Sequence, residues 1–196
     1  MQRIKLGILI FSFAAAAMLL WPACSVNVHK QKDGDDKQVD IQTPIGGIHV
    51  SQDATAEDAG LAVYPGAHLK PKDSSGDDKS ANVNLSGFGF GLKVVALEYE
   101  SNDAPDKIVA FYNDQLKKYG TVLVCHTSGH LDVNANFDDK SGKSSRILTC
   151  VGETGNNVEL RVGTRENQHI VAVEPEGKGS SFSLVYIRTH GKQADI

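Results

Sequence analysis

The sequence predicts an α+β fold: an antiparallel sheet with one main helix packed on one face, and a small β-hairpin or meander as an N-terminal extension. Three observations lead there. One segment, about residues 104–119, repeats apolar side chains at helical spacing. Many shorter segments alternate apolar and polar residues or are rich in β-branched residues. A single helix among a run of strands points to segregated α+β packing.

Arg3 and Lys5 precede an uncharged apolar run, Leu6 to Ala23, which stops at Cys24. A basic start, an apolar middle and a small residue before a cut are the parts of an export signal. Pro22-Ala23 supplies the small residue. Three fates follow for this segment. In the first the segment resembles a bacterial lipoprotein signal, which implies that Cys24 is acylated as the new N-terminus; in the second an ordinary cut near Ala23 frees the chain; in the third the run stays as an anchor. Spanning takes about 20 apolar residues, and this run is interrupted by Gly7, Ser12 and Pro22, which disfavours the anchor. In each case the remainder crosses the membrane, because the positive end stays inside.

Residues 24–60 read as a β-rich tether. Val26 and Val28, Val39 and Ile41, and Ile48 and Val50 sit at period two. Asp33-Gly34-Asp35-Asp36 and Pro44-Ile45-Gly46-Gly47 read as the turns between them. Residues 54–60 and 70–80 are polar and read as linkers or surface loops. Between them, Tyr64-Pro65-Gly66-Ala67 carries a Pro-Gly turn signal. Residues 61–190 form the predicted α+β domain, and 191–196 a tail.

Leu92–Tyr99 is the first strand expected in that domain. The helix follows over Ala104–Tyr119, with Asp103 as cap, Asp106 completing a capping-box-like pair, and Pro105 tolerated in the first turn. Ile108, Phe111, Tyr112, Leu116 and Tyr119 form its apolar stripe, and Gly120 is the stop signal. Strands are expected at Val122–Cys125, Arg146–Cys150, Val158–Gly163, His169–Glu174 and Phe182–Arg188. Glu176-Gly177-Lys178-Gly179 makes the last two a hairpin.

The chain has three cysteines. If Cys24 carries lipid, Cys125 and Cys150 remain as a natural pair, which an oxidising compartment would let close. In the two expected strands, Leu123 shares a face with Cys125 and Leu148 with Cys150, so both cysteines would point inward. Two buried free thiols are the other reading.

Two resemblances arise from these residues. The segment around Ala23-Cys24 resembles a bacterial lipoprotein signal, with Trp21 standing where such a signal usually has Leu. That resemblance implies a lipid on Cys24. The second joins Val63-Tyr64-Pro65-Gly66-Ala67, Ser101-Asn102-Asp103-Ala104-Pro105-Asp106, Phe111-Tyr112 and Lys118-Tyr119-Gly120. This pattern is similar to one in exported bacterial proteins of unknown function, in which a Tyr-Pro-Gly-Ala turn opens a small α+β domain. It implies a fold and brings no catalytic residues.

The net charge is −4, and it becomes more negative once Arg3 and Lys5 leave with the signal. That argues against nucleic acid, whose binding rests on clustered Lys and Arg, and against electrostatic attraction to an anionic membrane. Ser86 to Lys93 is similar to an RNA-stacking strand. It lacks the basic residue, one aliphatic residue and the last aromatic of that pattern, and it belongs to an exported, acidic chain. Its glycines precede a strand, so it is not a phosphate loop. Phe88, Phe90 and Leu92 are instead the candidate contact surface, for an envelope protein partner or lipid.

His126 and His130 beside Cys125 are weak metal candidates. Thr127-Ser128-Gly129 breaks the helix that would align them, and no cofactor is expected. No nucleophile elbow or Cys-x-x-Cys spacing occurs. The function that follows is a membrane-tethered, extracytoplasmic binding or structural module of a bacterial cell envelope. An envelope hydrolase with unrecognised catalytic acids, or a periplasmic metal-binding protein using His126 and His130, are the alternatives.

Overall fold

The computed structural model describes residues 25–30, 37–72, 79–128, 147–150 and 155–191. Cys24, the Asp33–Asp36 turn, Arg146 and His130 lie outside them. Among the described residues the strands are β1 (Ser25–Lys30), β2 (Lys37–Thr43), β3 (Gly46–Ser51), β4 (His68–Leu69), β5 (Ser80–Gly87), β6 (Phe90–Ser101), β7 (Leu123–Thr127), β8 (Asn157–Thr164), β9 (Asn167–Glu176) and β10 (Gly179–His190). The helix α1 spans Pro105–Leu116 and ends in a 3-10 turn, Lys117–Tyr119.

All described strands belong to one sheet, ordered β1-β2-β3-β5-β6-β10-β9-β8-β7, with β4 paired to β6. Every pairing is antiparallel. The N-terminal meander is continuous with the rest of the sheet, since β3 pairs with β5 and β5 with β6.

Opposed residues in an antiparallel pair share a face. Leu97, Leu184, Val171 and Leu160 make one such row; Tyr99, Phe182 and Val173 make another. These residues are buried in one cluster with Ile108, Tyr112 and Leu116 of α1. The helical spacing was therefore legible, and its stripe is where the burial occurs. Phe111 is half-buried and Tyr119 is exposed. On the other face, Ile170, Val185 and Ile187 form a smaller cluster against Leu92 and Ala96.

Several expectations are corrected. Residues 54–60 are not a plain polar linker, because Ala56, Ala59 and Leu61 are buried in the main cluster. Thr55 and Asp58 close a turn there, with the Thr55 N–H donating to Asp58 Oδ2 at 2.9 Å. Ser80–Gly87, read in part as loop, is a full strand. Ala81, Val83 and Leu85 alternate with Asn82, Asn84 and Ser86, the strand period, and two strands flank it and satisfy its backbone. Residues 147–150 are not a strand. Asp103 does not cap α1: the N-cap is Ala104, without a side-chain bond. Tyr64-Pro65-Gly66-Ala67 does turn, with the Ala67 N–H donating to the Tyr64 carbonyl and Gly66 at φ 78°. Pro at the second position and positive φ at the third are the type II pattern.

Candidate contact surface and the groups around it

The β5–β6 connection has two residues, Phe88 and Gly89, between the paired Gly87 and Phe90. Both are at positive φ, 51° and 78°. That is the type I′ pattern, which matches strand twist and favours Asn-Gly. Phe88 takes the Asn position, where a side chain with a Cβ is strained by about 1–2 kcal/mol. Burial does not offset that strain, since Phe88 is 87% exposed.

Beside it lies the β2–β3 turn, Pro44-Ile45, between the paired Thr43 and Gly46. The Phe88 N–H donates to the Ile45 carbonyl at 3.3 Å, which ties the two turns together. Their close approach needs glycine: a Cβ on Gly46 would lie 2.1 Å from the Ser86 carbonyl oxygen. Ile45 is 59%, Phe90 42% and Ile48 41% exposed. Ile41, Ile45, Ile48 and Phe88 line a shallow groove of about 210 Å³ between the turns. Among the described residues its walls carry no titratable group, so they offer apolar burial.

Of the three residues expected to form the contact surface, Phe88 and Phe90 are exposed, and Leu92 packs against Ile170, Val185 and Ile187. Ile45 and Ile48 were missed. The available signal was an isoleucine in the middle of a turn, where polar residues are the rule.

Cys125 and Cys150 form a disulfide, with Cα atoms 5.4 Å apart and a sequence separation of 25. Cys125 is buried on β7, while Cys150 is half-buried in a segment without strand structure. The inward orientation holds for the first cysteine only. His126 is exposed on β7. Among the described residues no group of three or more His, Cys, Asp or Glu could hold a metal ion.

Two clasps hold the segment before β4 to the sheet and helix. In one, the Tyr64 hydroxyl donates to Asp103 Oδ2 at 2.9 Å, and Lys107 Nζ donates to Asp103 Oδ1 at 2.7 Å. Lys107 and then Tyr64 hold the Asp103 carboxyl below its ordinary range. The Tyr64 N–H donates to the Tyr112 hydroxyl at 3.0 Å, and the Tyr64 ring meets Phe111 edge-on at 5.2 Å. Burial pushes the Tyr112 phenol far up.

In the other clasp, His169 stacks between Tyr119 and Tyr186, with centroids 3.8 and 4.8 Å away. Its Nδ1 lies 2.9 Å from the Ala59 carbonyl, an acceptor, so Nδ1 carries the proton. Burial lowers the His169 pKa, against the smaller opposite effect of that bond. The Tyr119 hydroxyl donates to the Gly60 carbonyl.

A polar cleft of about 320 Å³ is lined by Lys79, Glu98, Glu174, Ser181 and Ser183. The Glu98 carboxylate is already engaged there. Lys70 Nζ lies 3.2 Å away, Lys79 Nζ 3.7 Å, and the Ser181 hydroxyl donates at 3.4 Å.

Comparison of the chain with protein-family models, with curated proteins and with solved structures finds no match.

Proposed function

We propose that the chain is a membrane-tethered, extracytoplasmic binding or structural module of a bacterial cell envelope. Cys24 holds it by lipid, or residues 1–23 hold it as an anchor. The observation that carries this reading is the Cys125–Cys150 disulfide. Disulfides persist in oxidising compartments outside the cytoplasm. With those two paired, Cys24 is the remaining one of three cysteines, at the position a lipoprotein signal would modify. Among the described residues no helix is long and apolar enough to cross a membrane.

In this reading α1 lies on one face of the sheet, which its buried Ile108, Tyr112 and Leu116 support. The sheet end at Ile45 and Phe88 is the surface that the tethered domain presents. The similarity to exported bacterial proteins agrees with this. Its motif residues Tyr64, Asp103, Phe111 and Tyr112 meet in a clasp that holds the fold.

Intact mass after membrane extraction tests the tether. A diacylglycerol adduct on a chain starting at Cys24 is the expected result. A Cys24→Ser chain that keeps residues 1–23 and stays with membrane would replace lipid by an anchor. Free thiols at both Cys125 and Cys150 in unreduced protein would remove the observation on which the reading rests.

A further inference from the structure

The first described residue of the tether and the apolar turns lie at the same end of the sheet. Ser25 pairs with Gln42, one residue before Thr43 and the Pro44-Ile45 turn. Gly46 pairs with Gly87, which leads into Phe88. β1, β2, β3 and β5 are consecutive in the sheet, so Ser25 is about three strand spacings, about 15 Å, from the Phe88 turn. Cys24 directly precedes Ser25 in the sequence. The opposite end of the same strands is polar, with Lys30 and Lys37 paired on β1 and β2 and Ser51 closing β3.

We infer that Ile45 and Phe88, with Ile48 and Phe90 behind them, dip into the lipid bilayer to which the chain is tethered, so that the domain stands end-on with its β2–β3 and β5–β6 turns in the membrane interface. The inference rests on the tether reading above. A chain held at residue 24 keeps this end of the sheet at the bilayer. The two turns there present Ile and Phe, side chains that gain from leaving water, on a backbone that holds Phe88 outward at positive φ.

Apolar character continues inward two rows from the turns, where Ile41, Ile48, Leu85 and Leu92 are successive cross-strand partners. On the other face of the same strands, Asp40 pairs with His49 and Asn84 with Lys93. The charged β8–β9 turn, Arg165-Glu166, is also at this end but beyond β10, away from β2 and β3. The chain is acidic overall, so the contact relies on apolar burial, not on anionic lipid.

The test uses the full chain reconstituted in phosphatidylcholine vesicles whose acyl chains are brominated, a quencher of tryptophan in the bilayer. Phe88→Trp is the reporter, Ile45→Trp a second in case the first does not fold, and Lys178→Trp the control at the far end of the sheet. The parent chain, whose sole tryptophan is Trp21, gives the baseline. Interfacial burial reaches about 5–10 Å, so emission added by Phe88→Trp is expected to fall at least about twofold relative to that added by Lys178→Trp, equally at low and high salt.

A chain that stays with the vesicles while the Phe88→Trp and Ile45→Trp reporters remain unquenched overturns the membrane contact and leaves the tether standing. That result would return the surface to a protein partner or a second copy. Equal quenching of the Lys178→Trp control overturns the end-on orientation. A chain that washes off the vesicles overturns the tether and this contact together.

Discussion

The hydroxyl of Tyr64 and the carboxylate of Asp103 meet at 2.9 Å although they lie 39 positions apart in sequence. Tyr64 belongs to the Tyr-Pro-Gly-Ala turn and Asp103 to the segment leading into α1. Lys107, one turn into the helix, binds the other carboxylate oxygen, and the Ser180 hydroxyl donates to the Asp103 carbonyl at 2.7 Å. One acidic residue thus joins a turn, a helix start and the beginning of β10. It is not free to cap α1 because these partners already hold it.

Tyr64→Phe should lower stability and make it less sensitive to acid. The Asp103 pKa is depressed in the folded state, so its contribution is present above the ordinary carboxylate value and is lost as pH falls through the folded value. Without the Tyr64 hydroxyl part of that depression goes. Urea midpoints of the two chains at neutral and acid pH check this. Equal midpoint differences at both pH values would contradict it.

His169 predicts a second loss of stability, at higher pH. Burial disfavours the charged imidazole, so the folded pKa lies below the unfolded value near 6.5. Well above that value both states are neutral and nothing is lost. As pH falls below it the unfolded chain takes up a proton that the folded chain resists, and stability declines until the folded pKa is passed. Replacing His169 with Gln should lower stability at about pH 8 and flatten the decline that otherwise sets in as pH falls below the unfolded value. Thermal melts over that span of pH measure both effects.

Phe88→Gly should stabilise the isolated fold. Removing the Cβ from a left-handed turn position relieves about 1 kcal/mol, and so exposed a ring gives up little packing. Denaturant unfolding should show a raised midpoint with an unchanged slope. A lowered midpoint would mean that the ring packs on the fold more than its exposure indicates.

Glu159 and Arg161 form an ion pair on β8 with both side chains only 3% exposed. Arg161 Nε donates to Glu159 Oε2 at 2.8 Å, while Nη1 has no hydrogen-bond partner among the described residues. Breaking such a pair from one side leaves a buried charge and costs about 3–5 kcal/mol. Arg161→Met alone should therefore destabilise more than Arg161→Met combined with Glu159→Leu. Urea unfolding of both singles and the double gives the coupling. Additive losses would show that the pair does not act as a unit.

Local patterns were legible wherever one residue's neighbours in sequence decide its state. The helical stripe Ile108, Tyr112, Leu116 marks α1 and alternation marks β8, while β9 and β10 show as short β-branched apolar runs because both of their faces are buried. The Pro65-Gly66 turn and the Gly177 hairpin follow from backbone preferences of single residues. The pairing of Cys125 with Cys150 followed from cysteine number and the expected compartment.

Tertiary structure decided the rest, because it depends on partners far away in sequence. Ser80–Gly87 alternates Ala81, Val83 and Leu85 with Asn82, Asn84 and Ser86, a strand signal of its own, but only the tertiary structure places it between β3 and β6. Residues 147–150 have the apolar content of a strand, yet they are tied by Cys150 to β7 without joining the sheet. Ala56 and Ala59 are buried because neighbouring elements cover them, although the segment around them is polar. Ile45 and Phe88 are each one apolar residue in a turn. Only the register that aligns β2, β3 and β5 brings them side by side, at the end of the sheet where Ser25 begins.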